Sequence, residues 1–277
     1  MRLLKQLVPV AAVALAGNTA VNAVQGNTLL TLVLGVATAV LAVLVYARMV
    51  RWSERRAPVE VAASGAAAAT GRGALIGVGM FVAVIVNIAL VGGYRIDGLG
   101  SVAGALGLAG FMAAAAVTEE VIFRGILFRI VEERAGTWAA LALTGLVFGL
   151  SHLFNEHANL WGAIAIAIEA GGMLAAAYAA TRTLWLPIGL HFGWNFAAAD
   201  IFGTEVSGNG ATPGLLHGVT SGPALLTGGE FGPEASPYAV VFGALLTIVF
   251  MAVARRRGTL VPRRGGVRAD ATATLSR

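Results

Sequence analysis

The chain contains no cysteine. Disulfides, thiolate nucleophiles and cysteine-ligated metals are therefore excluded, and the redox compartment is not readable from the sequence. Charge is also scarce. Only 12 % of residues are Asp, Glu, Lys or Arg, against roughly 25 % in a soluble domain, while 57 % are hydrophobic and the mean hydropathy is +0.80. An ordinary soluble domain is excluded, and a polytopic membrane protein is implied. Internal repeats of the kind that mark many secondary transporters are absent. The metalloprotease pattern H-E-x-x-H is absent too.

What is present is a series of apolar runs near the ~20 residues that cross a bilayer. They predict helices over about 7–24, 29–47, 73–93, 99–128, 138–155, 160–180, 186–203 and 237–254, which makes an all-α, polytopic transmembrane bundle of about eight helices. Arg2 and Lys5, followed by an apolar run and the small residues up to Ala23, also describe a signal peptide; cleavage there would leave seven. Residues 1–254 read as a single integral membrane domain, with 204–236 as an extracytoplasmic loop that has no Lys or Arg and 255–277 as a basic cytoplasmic tail. Arg48 to Thr70 reads as a cytoplasmic linker.

Basic residues set the orientation. With both termini cytoplasmic, Arg2, Lys5, Arg48, Arg51, Arg55, Arg56, Arg72, Arg129, Arg134, Arg182 and every arginine from Arg255 onward fall on the inner side, and Arg95 alone falls outside. The net charge of +5 is thus a topology signal for a multi-pass plasma-membrane protein, and no nucleic-acid partner is expected.

Three short polar stretches interrupt the apolar runs: Glu119, Glu120 and Arg124; Phe148 and His152; His191 and Asn195. A charge near the bilayer centre costs roughly 2.5 to 3.5 kcal/mol on insertion scales, so these groups point to one buried functional site. Residues three or four apart share a helix face, which stacks Glu120 with Arg124, Phe148 with His152, and His191 with Asn195. Glu119 is turned about 100° from Glu120, which assigns the two carboxylates different roles. An antiparallel hairpin about the turn at Gly136 puts Glu119 and His152 at one level, each about 22 to 24 Å from that turn. His191 lies only about 6 Å beyond Pro187, so its helix either starts below the membrane surface or lines an inward-facing funnel.

Such groups suit water-activated amide hydrolysis. A carboxylate shielded from water can act as general base with a neighbouring histidine, Arg124 can hold Glu120 ionised, and His191 with the Asn195 amide can receive an oxyanion. The motifs E-E-x-x-x-R, F-x-x-x-H and H-x-x-x-N, in this order over residues 99–202, resemble the superfamily of CAAX prenyl proteases and bacteriocin-processing intramembrane endopeptidases, which includes the abortive-infection proteins. The resemblance implies a glutamate-dependent membrane protease that acts on a membrane-anchored or lipidated peptide or protein, with Glu119 and His152 activating water and His191 and Asn195 forming the oxyanion site. No cofactor is expected. Zinc stays open as an alternative, with Glu119, His152 and His191 as its ligands.

The site is expected to open toward the cytoplasm. Phe148 is read as packing beside His152, Phe192 and Trp194 as lipid or core contacts, and His157 and His217 as background. Glu169 and Asp200 lie within helices and are unexplained by the motifs. The competing functions are a non-catalytic immunity or scaffold protein and a proton-coupled transporter, for which the same buried groups would serve assembly or proton relay.

Overall fold

The computed structural model describes residues 1–210 and 214–263. Eight long helices form the bundle: α1 (Arg2–Asn22), α2 (Thr28–Glu54), α3 (Ala66–Leu90), α4 (Val102–Ala135), α5 (Thr137–Phe154), α6 (Leu160–Thr181), α7 (Trp185–Asn195, continued by Phe196–Ile201) and α8 (Pro237–Arg256). Seven of them are long and apolar enough to cross a membrane. The exception is α7, which is shorter and almost wholly buried among its neighbours. The chain is an all-α multi-pass membrane protein.

Helix starts follow capping chemistry. The side chains of Asn27, Ser101, Asn159 and Ser236 accept hydrogen bonds from the first-turn N–H groups of α2, α4, α6 and α8. Stops use left-handed backbone at Arg55 and Arg182 and a positive φ at Gly136. Because the helices alternate in direction, all four capped starts lie at one end of the bundle, here called the loop end. The ends of these four helices, rich in arginine, lie at the other.

The basic end is tied by ion pairs. Arg129 bonds Glu54 at 2.6 Å and the Gln6 carboxamide oxygen at 2.9 Å, Arg56 bridges Glu54 and Glu60, each at 2.6 Å, and Arg182 reaches Glu132 at 2.5 Å. The expected linker Arg48 to Thr70 is correspondingly shorter. Helix α2 runs on to Glu54, α3 begins at Ala66, and Glu60 between them is buried. Of the basic tail, Val261 pairs with Thr137 at the α5 start, while the part from residue 264, with Arg264, Arg268 and Arg277, lies outside the described residues.

At the loop end, strands β1 (Tyr94–Leu99) and β2 (Leu216–Thr220) pair antiparallel with a register shift between Ile96 and Gly98. The segment 204–236, expected to be an extracytoplasmic loop, is in part packed into the bundle. Thr204, Phe231, Glu234, Ala235 and Ser236 are buried, and the Trp161 indole N–H donates to the Ala235 carbonyl at 2.8 Å. Its glycines and prolines mark irregular backbone, and the apolar Phe231 ring supplies the reason to bury it. Residues 211–213 of this segment lie outside the described residues.

Two large apolar clusters, with a smaller one around Phe148, Ile166 and Phe231, fill the bundle. One, toward the basic end, contains Tyr46, Val121, Phe128, Tyr178 and Leu184; the other, toward the loop end, contains Phe81, Met112, Met173, Leu190 and Trp194. The polar stretches of α4, α5 and α7 lie at the seam between them.

Candidate active site

Glu119 and Glu120 end the regular part of α4, and a π-helical turn over Val121–Phe128 follows. Two more π-helical turns flank the same region, Ala167–Gly172 in α6 and Phe196–Ile201 after Asn195 in α7. Such turns insert extra backbone and redirect side chains, and they gather at functional sites.

Glu120 is fully buried. Its Oε1 accepts from the Arg124 guanidinium at 2.7 Å and pairs with His191 Nδ1 at 3.0 Å. The same guanidinium donates to the carbonyls of Ala170 and Gly171, at 3.1 and 3.2 Å, within the wide turn of α6, and lies 4.5 Å over the Phe148 ring. Arg124 therefore has both charge and stacking compensation for its burial. The α5–α6 approach that permits this runs over Gly145 and Gly171, where a side chain on Gly171 would meet the Gly145 backbone.

Glu119 has a different environment, as its rotation about the helix predicted. Its side chain is 32 % exposed, and Oε2 has no protein partner, with His191 Nε2 3.9 Å away. His152 opens the last, 3-10 turn of α5 with Nδ1 2.8 Å from the Phe148 carbonyl oxygen, which leaves Nε2 free. Glu119, His152, His191 and Asn195 line one cavity of about 620 Å³. Thus all six candidate residues meet: four face the cavity, while Glu120 and Arg124 form the layer behind His191. Among the described residues, no group of three or more His, Asp or Glu side chains is placed to hold a metal ion, so Glu119, His152 and His191 do not converge as a ligand set.

Three residues have more central places than the sequence reading gave them. Phe148 is the hub of the site, with ring centroids 4.9 Å from His152 and 6.1 Å from His191. Glu169 is buried with both carboxyl oxygens unpartnered, and lines a chamber of about 10 Å³, room for about one water, beside His152, His191 and Asn195. Glu234 enters from the segment 204–236. It accepts from the Trp194 indole at 2.7 Å and from the Ser207 backbone N–H at 2.5 Å, so Trp194 is a hydrogen-bonded core residue rather than a lipid contact. An isolated acid in an apolar run gave a signal for Glu169. Glu234 gave none, because its run has the composition of a loop.

Of the remaining polar groups, Asp200 is buried with no side-chain partner. His157 faces Glu205 at 3.6 Å, and burial raises the Glu205 carboxyl above its ordinary range. His217 lies in β2, exposed.

Residues 101–197, which carry every one of these motifs, match the family described as Type II CAAX prenyl endopeptidase Rce1-like. The match supports the resemblance of this core, about a third of the chain, to the CAAX protease-like superfamily. The chain is also similar to the protein named "Putative membrane peptidase YdiL" of Bacillus subtilis (strain 168), with 32 % identity over 79 residues. That match covers 28 % of this chain and 30 % of the relative, so the chain spans less than a third of that protein's length in the alignment. No solved structure matches it.

Proposed function

We propose that this protein is an intramembrane endopeptidase that cleaves a peptide bond of a membrane-anchored or lipidated polypeptide with water activated by Glu119 and His152. The observation that carries this reading is the division of labour between adjacent carboxylates. Glu120 is committed to Arg124 and His191, whereas Glu119 keeps a free oxygen on a cavity that also holds the free His152 nitrogen and Asn195.

In this mechanism a water between Glu119 and His152 gives its proton to the Glu119 carboxylate as its oxygen attacks the scissile carbonyl carbon. The carbonyl oxygen becomes an oxyanion. The Asn195 amide and the Nε2–H of an imidazolium His191, held from behind by Glu120, donate to it. The C–N bond then breaks, and the proton stored on Glu119 passes to the leaving amine. Arg124 and Phe148 position Glu120 and the two imidazoles. The basic-residue bias supports placing this chemistry in a plasma membrane with both termini cytoplasmic.

The test is cleavage of a membrane-bound reporter in cells carrying wild type or Glu119→Gln. The amide keeps volume and cannot take a proton, so the variant is expected to insert normally and to be inactive; His152→Ala should be nearly as severe. Full activity of Glu119→Gln would remove Glu119 as the base. The mechanism routes no step through a metal, and strong chelators are therefore expected to leave activity in detergent unchanged. Stoichiometric zinc whose removal stops turnover would reassign water activation to the metal.

A further inference from the structure

We infer that the site is loaded from the extracytoplasmic face, and that what enters is an extended stretch of polypeptide rather than an isoprenoid chain. This deepens the endopeptidase reading and rests on it. The cavity that begins at Glu119 runs along α4 past Ala115, Met112 and Leu108 and ends among Asn22, Gln25 and Asn209. These rim residues belong to the loop end. A second cavity of about 170 Å³ adjoins it, sharing Gln25, Leu108 and Phe111, between the α1–α2 turn and the outer part of α4, and suggests a lateral way in for a membrane-anchored chain.

The opposite route is closed, contrary to the expectation of a cytoplasmic opening. The first turn of α7, which carries His191 inward, is capped by the segment between α2 and α3: the Leu184 N–H donates to the Glu60 carbonyl at 2.8 Å, and the Trp185 indole to the Ala62 carbonyl at 2.7 Å. Arg56 and Arg129 lock that segment and the end of α4 onto Glu54. Helix α7 therefore starts beneath the segment between α2 and α3. The closed end carries nearly all the basic residues and is the cytoplasmic one by their bias. The open end is then outside.

The rim chemistry names the occupant. It is a collar of carboxamides, Asn18, Asn22, Gln25, Asn155 and Asn209, with no Lys or Arg among the described residues lining the cavity. The Asn18 Oδ1 is buried with no partner. A carboxamide both donates and accepts, as does each residue of an extended backbone, so such a collar replaces the water that the peptide loses on entry. A hydrocarbon chain satisfies none of these groups, and without a cation the rim has no hold on an anionic headgroup.

The absence of native cysteine makes access measurable, independently of catalysis. Ala115→Cys lies inside the cavity, Asn209→Cys on its rim and Arg134→Cys at the closed end. With a membrane-impermeant thiol reagent, the first two are expected to react in intact cells and the third only in inverted vesicles. A short uncharged peptide of alanine, serine and leucine, added outside, should slow labelling of Ala115→Cys several-fold, whereas farnesol should leave it unchanged. Labelling of Ala115→Cys only from the cytoplasmic side, or from neither side while Asn209→Cys reacts, overturns the access face and leaves the protease reading intact. Protection by farnesol and not by the peptide overturns the choice of occupant. Loss of reporter cleavage in the wild type, with labelling as expected, would instead overturn the endopeptidase reading.

Discussion

Glu119 and Glu120 are chemically identical neighbours, and everything that distinguishes them comes from what surrounds each one. A buried carboxylate that accepts from a guanidinium and an imidazole is held in place, and breaking such a cluster by removing one partner costs about 3 to 5 kcal/mol because a charge is left uncompensated. Its neighbour is turned toward the cavity, with an oxygen that no protein group holds. The same logic separates Asn195 from the rest. Its amide lines the cavity one turn beyond His191, where an oxyanion would form, so Asn195→Ala is expected to lower kcat by about 100-fold to 1000-fold with a smaller change in KM. An effect confined to KM would make Asn195 a substrate-positioning group only. That these six residues come together is legible in the sequence, since charge in an apolar helix demands compensation and helical spacing shows which groups stack. Glu234 is not. Its partners, Trp194 and Ser207, lie far from it along the chain, and only the fold joins them.

The elements are legible for a similar reason. Apolar runs longer than a bilayer fix where helices lie, and the observed helices overlap every expected one. What hydropathy does not carry is how closely two helices approach. Helix α3 meets α7 along two interleaved pairs of small residues, Gly73 with Gly77 and Gly189 with Gly193, where any side chain would strike the facing backbone. This contact sets the depth of His191 and Asn195. At Gly77 a Cβ would collide with the Leu190 carbonyl oxygen and lie 2.7 Å from the Trp194 nitrogen, while at Gly79, two residues on in the same helix, it meets nothing within 4 Å. Gly77→Ala is therefore expected to destabilise the protein by about 1 to 3 kcal/mol, read as a lower Tm in detergent, together with lost activity. Gly79→Ala should be neutral or stabilising by up to about 1 kcal/mol from helix propensity alone. Equal shifts for the two variants would show that the glycine seam does not hold α7. The β1–β2 pairing and the buried part of 204–236 are hidden in the sequence because glycine and proline report irregular backbone and are silent on whether it is solvated.

At the scale of the molecule the bundle is asymmetric, sealed by ion pairs at its basic end and hollow at its loop end, and α1 contributes to both. Near its start, Gln6 bonds Ser53 and Glu54 and accepts from Arg129, while Arg2 reaches Glu133 at 2.6 Å. Near its end, Asn18 and Asn22 form part of the cavity wall. A signal peptide makes no such contacts in the mature fold, and cleavage after Ala23 would take a hydrogen-bond partner from the buried Arg129 and open the cavity laterally to lipid. We therefore expect the protein isolated from membranes to retain α1, with an N-terminal tag still attached. A mature form that begins after Ala23 and remains active would mean that the seal and the cavity wall are completed without α1, and the count of membrane helices would drop by one.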